Sequence, residues 1–82
     1  MSKDEILVGL AEILYDTLGR SDFAVTRETK ASDVAEWDSM NHINIIVASE
    51  IRFGIKFRTG ELEGLRNVGE FIDVIAGRID KA

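Results

Sequence analysis

The sequence predicts an all-α fold, a small bundle of three main helices plus one short helix. Three observations lead there. Apolar residues recur at three- and four-residue steps in three separate stretches. Residues able to cap a helix stand ahead of each stretch. The one alternating run, Ile55 and Phe57 against Lys56 and Arg58, has no evident strand partner and reads as an extended connector.

Helix one opens on a capping box, because Ser2 is followed three residues later by Glu5. Ile6, Leu7, Leu10, Ala11, Leu14 and Leu18 then mark an amphipathic helix over about residues 3 to 18, with Gly19 suited to its C-terminal cap. The connection over residues 20 to 38 is long for a structureless loop. Phe23, Val25, Val34 and Trp37 are its apolar anchors, and a short helical turn is expected near Ser32 to Ala35. Helix two follows over about 39 to 53, and Gly54 ends it. Thr59 is the expected cap of a short third helix, with Glu61 in its first turn and Leu62 and Leu65 facing inward. Asn67 caps the last helix, whose inner face is Val68, Phe71, Ile72, Ile75 and Ile79.

Composition excludes several functions. The 82 residues fit one domain spanning 1–82, and 45% apolar content is enough for a core. There are no cysteines and a single histidine, so disulfides, thiolate metal sites and clustered imidazole ligands are excluded. The formal net charge of -5 argues against nucleic acid, whose phosphates demand a basic patch. No apolar run approaches the roughly 20 residues that span a bilayer, so membrane insertion is not expected. The charged start MSKDEILVGL is no secretory signal, and a cytoplasmic location is the expectation.

The chain is organised around residues 36 to 57, EWDSMNHINIIVASEIRFGIKF. Asp38 or Ser39 can cap helix two by accepting from its free N–H groups. A serine at that junction stays outside the core, at the positive end of the helix dipole, where an attached phosphate is favoured. Met40, Ile43, Val47 and Ile51 form one stripe; Ile46 and Phe53 lie on a neighbouring face, and Ile45 and Ala48 on a third. A helix apolar nearly all round should be buried on every side, which a very small domain achieves with difficulty. Part of this surface is therefore expected to await a partner or cargo.

Asp38-Ser39-Met40, at the start of the second helix, resembles the Asp-Ser-Leu attachment site of acyl carrier proteins and the related peptidyl carrier domains. The Phe53-Gly54-Ile55 step, the helix order and the chain length are similar to that family too. The resemblance implies an acyl-carrier-protein-like fold and a stand-alone, monomeric carrier, not an enzyme. It implies that Ser39 accepts 4′-phosphopantetheine from a phosphopantetheinyl transferase, and that acyl or aminoacyl groups, loaded by ligase and synthase enzymes, are held as thioesters on that arm. It implies that Met40, Ile43 and Val47 flank the arm and touch partner enzymes, while Ile46 and Phe53 face the core. Asp38 reads equally as helix cap and as an acidic contact for the transferase.

Charge along helix two departs from carriers of fatty acid synthesis: Asn41 and Asn44 are neutral, Arg52 is basic, and Glu50 is the only acid after Asp38. This points to a specialised lipid, polyketide or peptide pathway. A competing reading is a small helical adaptor that binds a partner helix in an apolar groove, with Ser39 only a cap. A Ser39–His42 catalytic pair at i and i+3 lacks a carboxylate placed to orient His42.

Overall fold

The computed structural model describes residues 2–62 and 64–81. Among the described residues four α-helices follow one another: α1 Lys3–Leu18, α2 Ser39–Phe53, α3 Thr59–Leu62 and α4 Val68–Lys81, with a 3-10 turn at Ala31–Asp33 in the long connection. Among the described residues there is no strand, only an isolated antiparallel bridge between Lys30 and Asn67. The expected all-α bundle of three main helices and a short one is thus the observed fold.

Helix α1 starts on its capping box: Ser2 Oγ accepts from the Glu5 N–H at 3.2 Å, and Glu5 Oε1 accepts from the Ser2 N–H at 2.9 Å. It ends at Gly19, whose φ of 67° is the left-handed conformation favoured by glycine. α1 packs against both α2 and α4. Ile6, Leu10 and Leu14 meet Ile45, Phe71, Ile72 and Ile75 in the core. Gly9 permits a close approach of α2, because a Cβ there would stand only 2.9 Å from the Phe53 ring.

The long connection is tied down at both ends. Tyr15 Oη donates to the Phe23 carbonyl at 2.9 Å, and the two rings meet edge-on. Val34 and Trp37 are buried, while Phe23 and Val25 are half-buried against the core. Further along, the Val68 N–H donates to the Thr29 carbonyl at 2.8 Å and the Gly69 N–H to the Arg27 carbonyl at 2.9 Å. The first N–H groups of a helix have no partner within it; those of α4 find theirs in this loop. Asn67 Oδ1 accepts from the Glu70 N–H at 2.9 Å and completes the start of α4.

Three local expectations need correction. The 3-10 turn lies one residue earlier than Ser32, because Asp33 Oδ2 accepts from the Lys30 N–H and closes the turn there. Thr59 is inside α3 and not its cap; the Arg58 carbonyl accepts from the Glu61 and Leu62 N–H groups, and Glu61 Oε1 accepts from the Arg58 N–H at 2.7 Å. On α2 the core face is centred on Ile45 and Ser49, 1% and 0% exposed, whereas Ile46 and Phe53 are half-buried at its margins. Ser49 belongs in the core because its hydroxyl donates to the Ile45 carbonyl at 2.8 Å and leaves no unsatisfied polar group.

Candidate functional site at the start of the second helix

The two candidate caps of α2 are resolved by geometry. Asp38 has extended backbone angles, φ −93° and ψ −175°, and its Oδ1 accepts from the Asn41 N–H at 2.9 Å. Its carbonyl accepts from the His42 N–H at 2.8 Å. Ser39 is therefore the first residue inside the helix. Its side chain is exposed, and the hydroxyl makes no hydrogen bond among the described residues.

The chain entering this cap is braced from several directions. Asn41 Nδ2 donates to the Glu36 carbonyl at 2.8 Å, and the Asp38 N–H donates to the same oxygen at 2.9 Å. The Glu36 carboxylate in turn accepts from Arg20, just beyond α1, at 2.9 Å. The Arg20 hydrogen bond holds Glu36 below the usual carboxylate range. Asp22 takes the other edge of the same guanidinium, and its carboxyl is likewise depressed.

Beside Ser39 lies a surface hollow of about 580 Å³. Asp38, Ser39 and His42 form its α2 side; Ala31 and Trp37 contribute from the long connection, and Leu65 and Arg66 from the segment before α4. Trp37 Nε1 donates to His42 Nδ1 at 3.0 Å, and the two rings lie side by side, 28° from parallel, with centroids 6.1 Å apart. The Phe71 ring of α4 meets His42 edge-on at 5.8 Å. Burial among these rings holds the imidazole below its ordinary pKa.

The structure thus brings Ser39 and His42 to one hollow, but they share no hydrogen bond among the described residues; the indole takes Nδ1 instead. The stripe of Met40, Ile43, Val47 and Ile51 is exposed by 73%, 60%, 47% and 78%. It lies roughly opposite the Ile45–Ser49 face at about 100° per residue. Among the described residues no group of three His, Cys, Asp or Glu side chains is placed to hold a metal ion, and no helix is long and apolar enough to cross a membrane.

Sequence reasoning missed Asn41 and Arg66 as parts of this site, and the direct Trp37–His42 bond. An asparagine three residues after a capping aspartate was the one local signal available; nothing in the spacing links Arg66 to Ser39.

No protein-family model matches the chain. Curated relatives do. It is 37% identical over 76 residues to the acyl carrier protein of Acidothermus cellulolyticus, covering 93% of this chain and 90% of that one. It is 36% identical over 74 residues to the meromycolate extension acyl carrier protein of Mycolicibacterium aurum, covering 90% of this chain and 76% of the relative. The solution NMR structure of holo acyl carrier protein from Geobacter metallireducens superposes with a TM-score of 0.85 at 37% identity, covering 92% of this chain and 86% of that one. Relatives at this identity, matched along most of their length, together with the four-helix architecture, place the chain in the acyl carrier protein family, whose members are carriers rather than catalysts.

Proposed function

We propose that the chain is a monomeric, cytoplasmic carrier whose Ser39 hydroxyl is the attachment point for 4′-phosphopantetheine. One observation carries this reading: Asp38 takes the cap, so Ser39 is left with an exposed hydroxyl that makes no hydrogen bond among the described residues, beside a hollow. The residues present fit the group. The anchor is a braced helix end, and the hollow offers an apolar and aromatic wall from Trp37 and Leu65 with a guanidinium from Arg66. When attached, the group supplies the thiol that this cysteine-free chain lacks, on which acyl or aminoacyl cargo is carried as a thioester.

The chain's own residues do the positioning. Asp38, Asn41 and the Arg20–Glu36 pair hold the start of α2 in one place, so the attachment oxygen faces solvent in a constant orientation. A tether on such an anchor raises the local concentration of cargo at each partner. Met40, Ile43 and Val47, beside Ser39 on the exposed stripe, are the surface for the phosphopantetheinyl transferase and for the ligase and synthase enzymes, and Asp38 adds an acidic contact.

Two features support a specialised pathway, in lipid, polyketide or peptide synthesis. The α2 stripe is apolar and flanked by neutral Asn44, while Glu50 is engaged with the Phe57 N–H and Arg52 with Glu12 of α1. Some relatives are named for meromycolate extension.

The test is intact mass after incubation with coenzyme A and a broad-specificity phosphopantetheinyl transferase. The expected result is the gain of one phosphopantetheine, abolished by Ser39→Ala. No gain with several transferases overturns the proposal and leaves the exposed stripe as the surface of a helical adaptor.

A further inference from the structure

We infer that His42 and Arg66 form a phosphate subsite for the group carried on Ser39, with Trp37 as the positioning residue that decides which imidazole nitrogen bears the proton. The inference rests on the attachment proposed above and adds to it the side chains that hold the phosphodiester.

Trp37 Nε1 can only donate. It lies 3.0 Å from His42 Nδ1, so Nδ1 is the acceptor and carries no proton. The neutral imidazole then carries its proton on Nε2. The ring has little freedom to turn over, being hydrogen-bonded to Trp37 at one edge and set edge-on against Phe71. Nε2 has no hydrogen-bond partner among the described residues, and the imidazole lines the hollow beside Ser39. A donor is thereby left available on a ring that lines the same hollow as Ser39.

Arg66 lines the same hollow from the opposite segment. Its guanidinium has no hydrogen-bond partner among the described residues, while its backbone N–H is fixed to Glu70 Oε2 at 2.9 Å. A planar cationic donor set of this kind suits phosphate oxygens. The charged side chains that line the hollow with His42 are Asp38, on the same side, and Arg66, from the segment before α4; from α4 the neighbour is Phe71, which does not titrate. Asp38 has its Oδ1 committed to the Asn41 N–H, and its negative charge beside a phosphate would repel unless a cation stood close. Arg66 offsets that repulsion.

The chain has one histidine and one tryptophan, so both report without overlap. The protein is loaded, loading is confirmed by intact mass, and imidazole ¹⁵N and phosphodiester ³¹P spectra are followed from pH 5 to 8, roughly the range of histidine titration. A phosphodiester keeps one constant charge over this range, so movement of its signal reports a neighbour. The expected result is a neutral His42 protonated at Nε2, a ³¹P titration that follows the His42 midpoint, and a midpoint raised on loading by about half a unit or more. His42→Gln should abolish the ³¹P titration. Arg66→Gln, at an exposed position, should shift the ³¹P signal at every pH. Trp37→Phe should let the Nδ1-protonated tautomer appear. A ³¹P signal that is flat in the loaded protein, or unmoved by Arg66→Gln, overturns the subsite while leaving attachment at Ser39 intact. Neutral His42 protonated at Nδ1 in the unsubstituted protein overturns the role of Trp37. A chain that never gains the group overturns attachment and subsite together.

Discussion

At the junction of loop and α2, two adjacent oxygen-bearing side chains divide two tasks. Asp38 accepts from the Asn41 N–H and starts the helix; Ser39, one residue on, keeps its hydroxyl out of the backbone network. Their substitutions should therefore cost differently. Asp38→Ala removes a cap and should destabilise the fold by about 1 kcal/mol, within a range of roughly 0.5 to 2. Ser39→Ala breaks no hydrogen bond among the described residues and should stay within about 0.5 kcal/mol of the parent. Urea denaturation of both variants decides the matter. A larger loss for Ser39→Ala than for Asp38→Ala would mean that the serine, not the aspartate, holds the helix end in solution. The sequence admitted either residue as the cap, since both can accept from a free N–H; the extended backbone at Asp38 and its bond from the Asn41 N–H separate them.

At the scale of the helix, α2 presents two unlike faces. Ile45 and Ser49 are enclosed against α1, while Met40, Ile43, Val47 and Ile51 stand in solvent. Ile45→Ala should cost about 2 to 5 kcal/mol, the usual penalty for emptying a core site. Val47→Asp should leave helical circular dichroism unchanged and cost less than about 1 kcal/mol. Melting of the Val47→Asp protein at much lower temperature would place that residue in the core and undo the partner surface proposed for it. The extents of α1 and α2 were legible because caps and glycines bracket their apolar runs. The inward face of α2 was not. Counting apolar side chains passes over Ser49, whose buried hydroxyl is satisfied by its own helix, and cannot know that Gly9 leaves room for Phe53. The hollow was hidden for a different reason: Arg66 reaches it through tertiary folding, which local periodicity does not encode.

For the molecule as a whole, pH acts through groups with opposite histories. Burial lowers the pKa of His42, so the unfolded chain binds its proton more tightly. Stability from this source is complete above the ordinary histidine value of about 6.5 and is lost as pH falls through the lower folded value. Hydrogen bonds to Arg20 lower Glu36 and Asp22; the Arg58 N–H and Arg78 lower Glu61; for Asp73, Lys3 and Arg27 outweigh an opposing effect of burial. Their contributions are present above ordinary carboxylate values and are lost only in stronger acid, and each exposed pair is worth little. Net charge of -5 adds a self-repulsion that eases as pH falls, so a single melting curve mixes these effects. The useful quantity is the Tm of the parent minus that of His42→Gln. It should decrease between pH 8 and 5, and a difference that stays constant or grows would show that His42 is not buried as described. One further property belongs to the whole chain. The last helix borrows its opening acceptors from Arg27 and Thr29, so it has no finished beginning until that distant segment has docked. The connection before α2 thus works as a splint across the bundle, and the same strip of chain that leads into the Asp38 cap also sets the terminal helix in place.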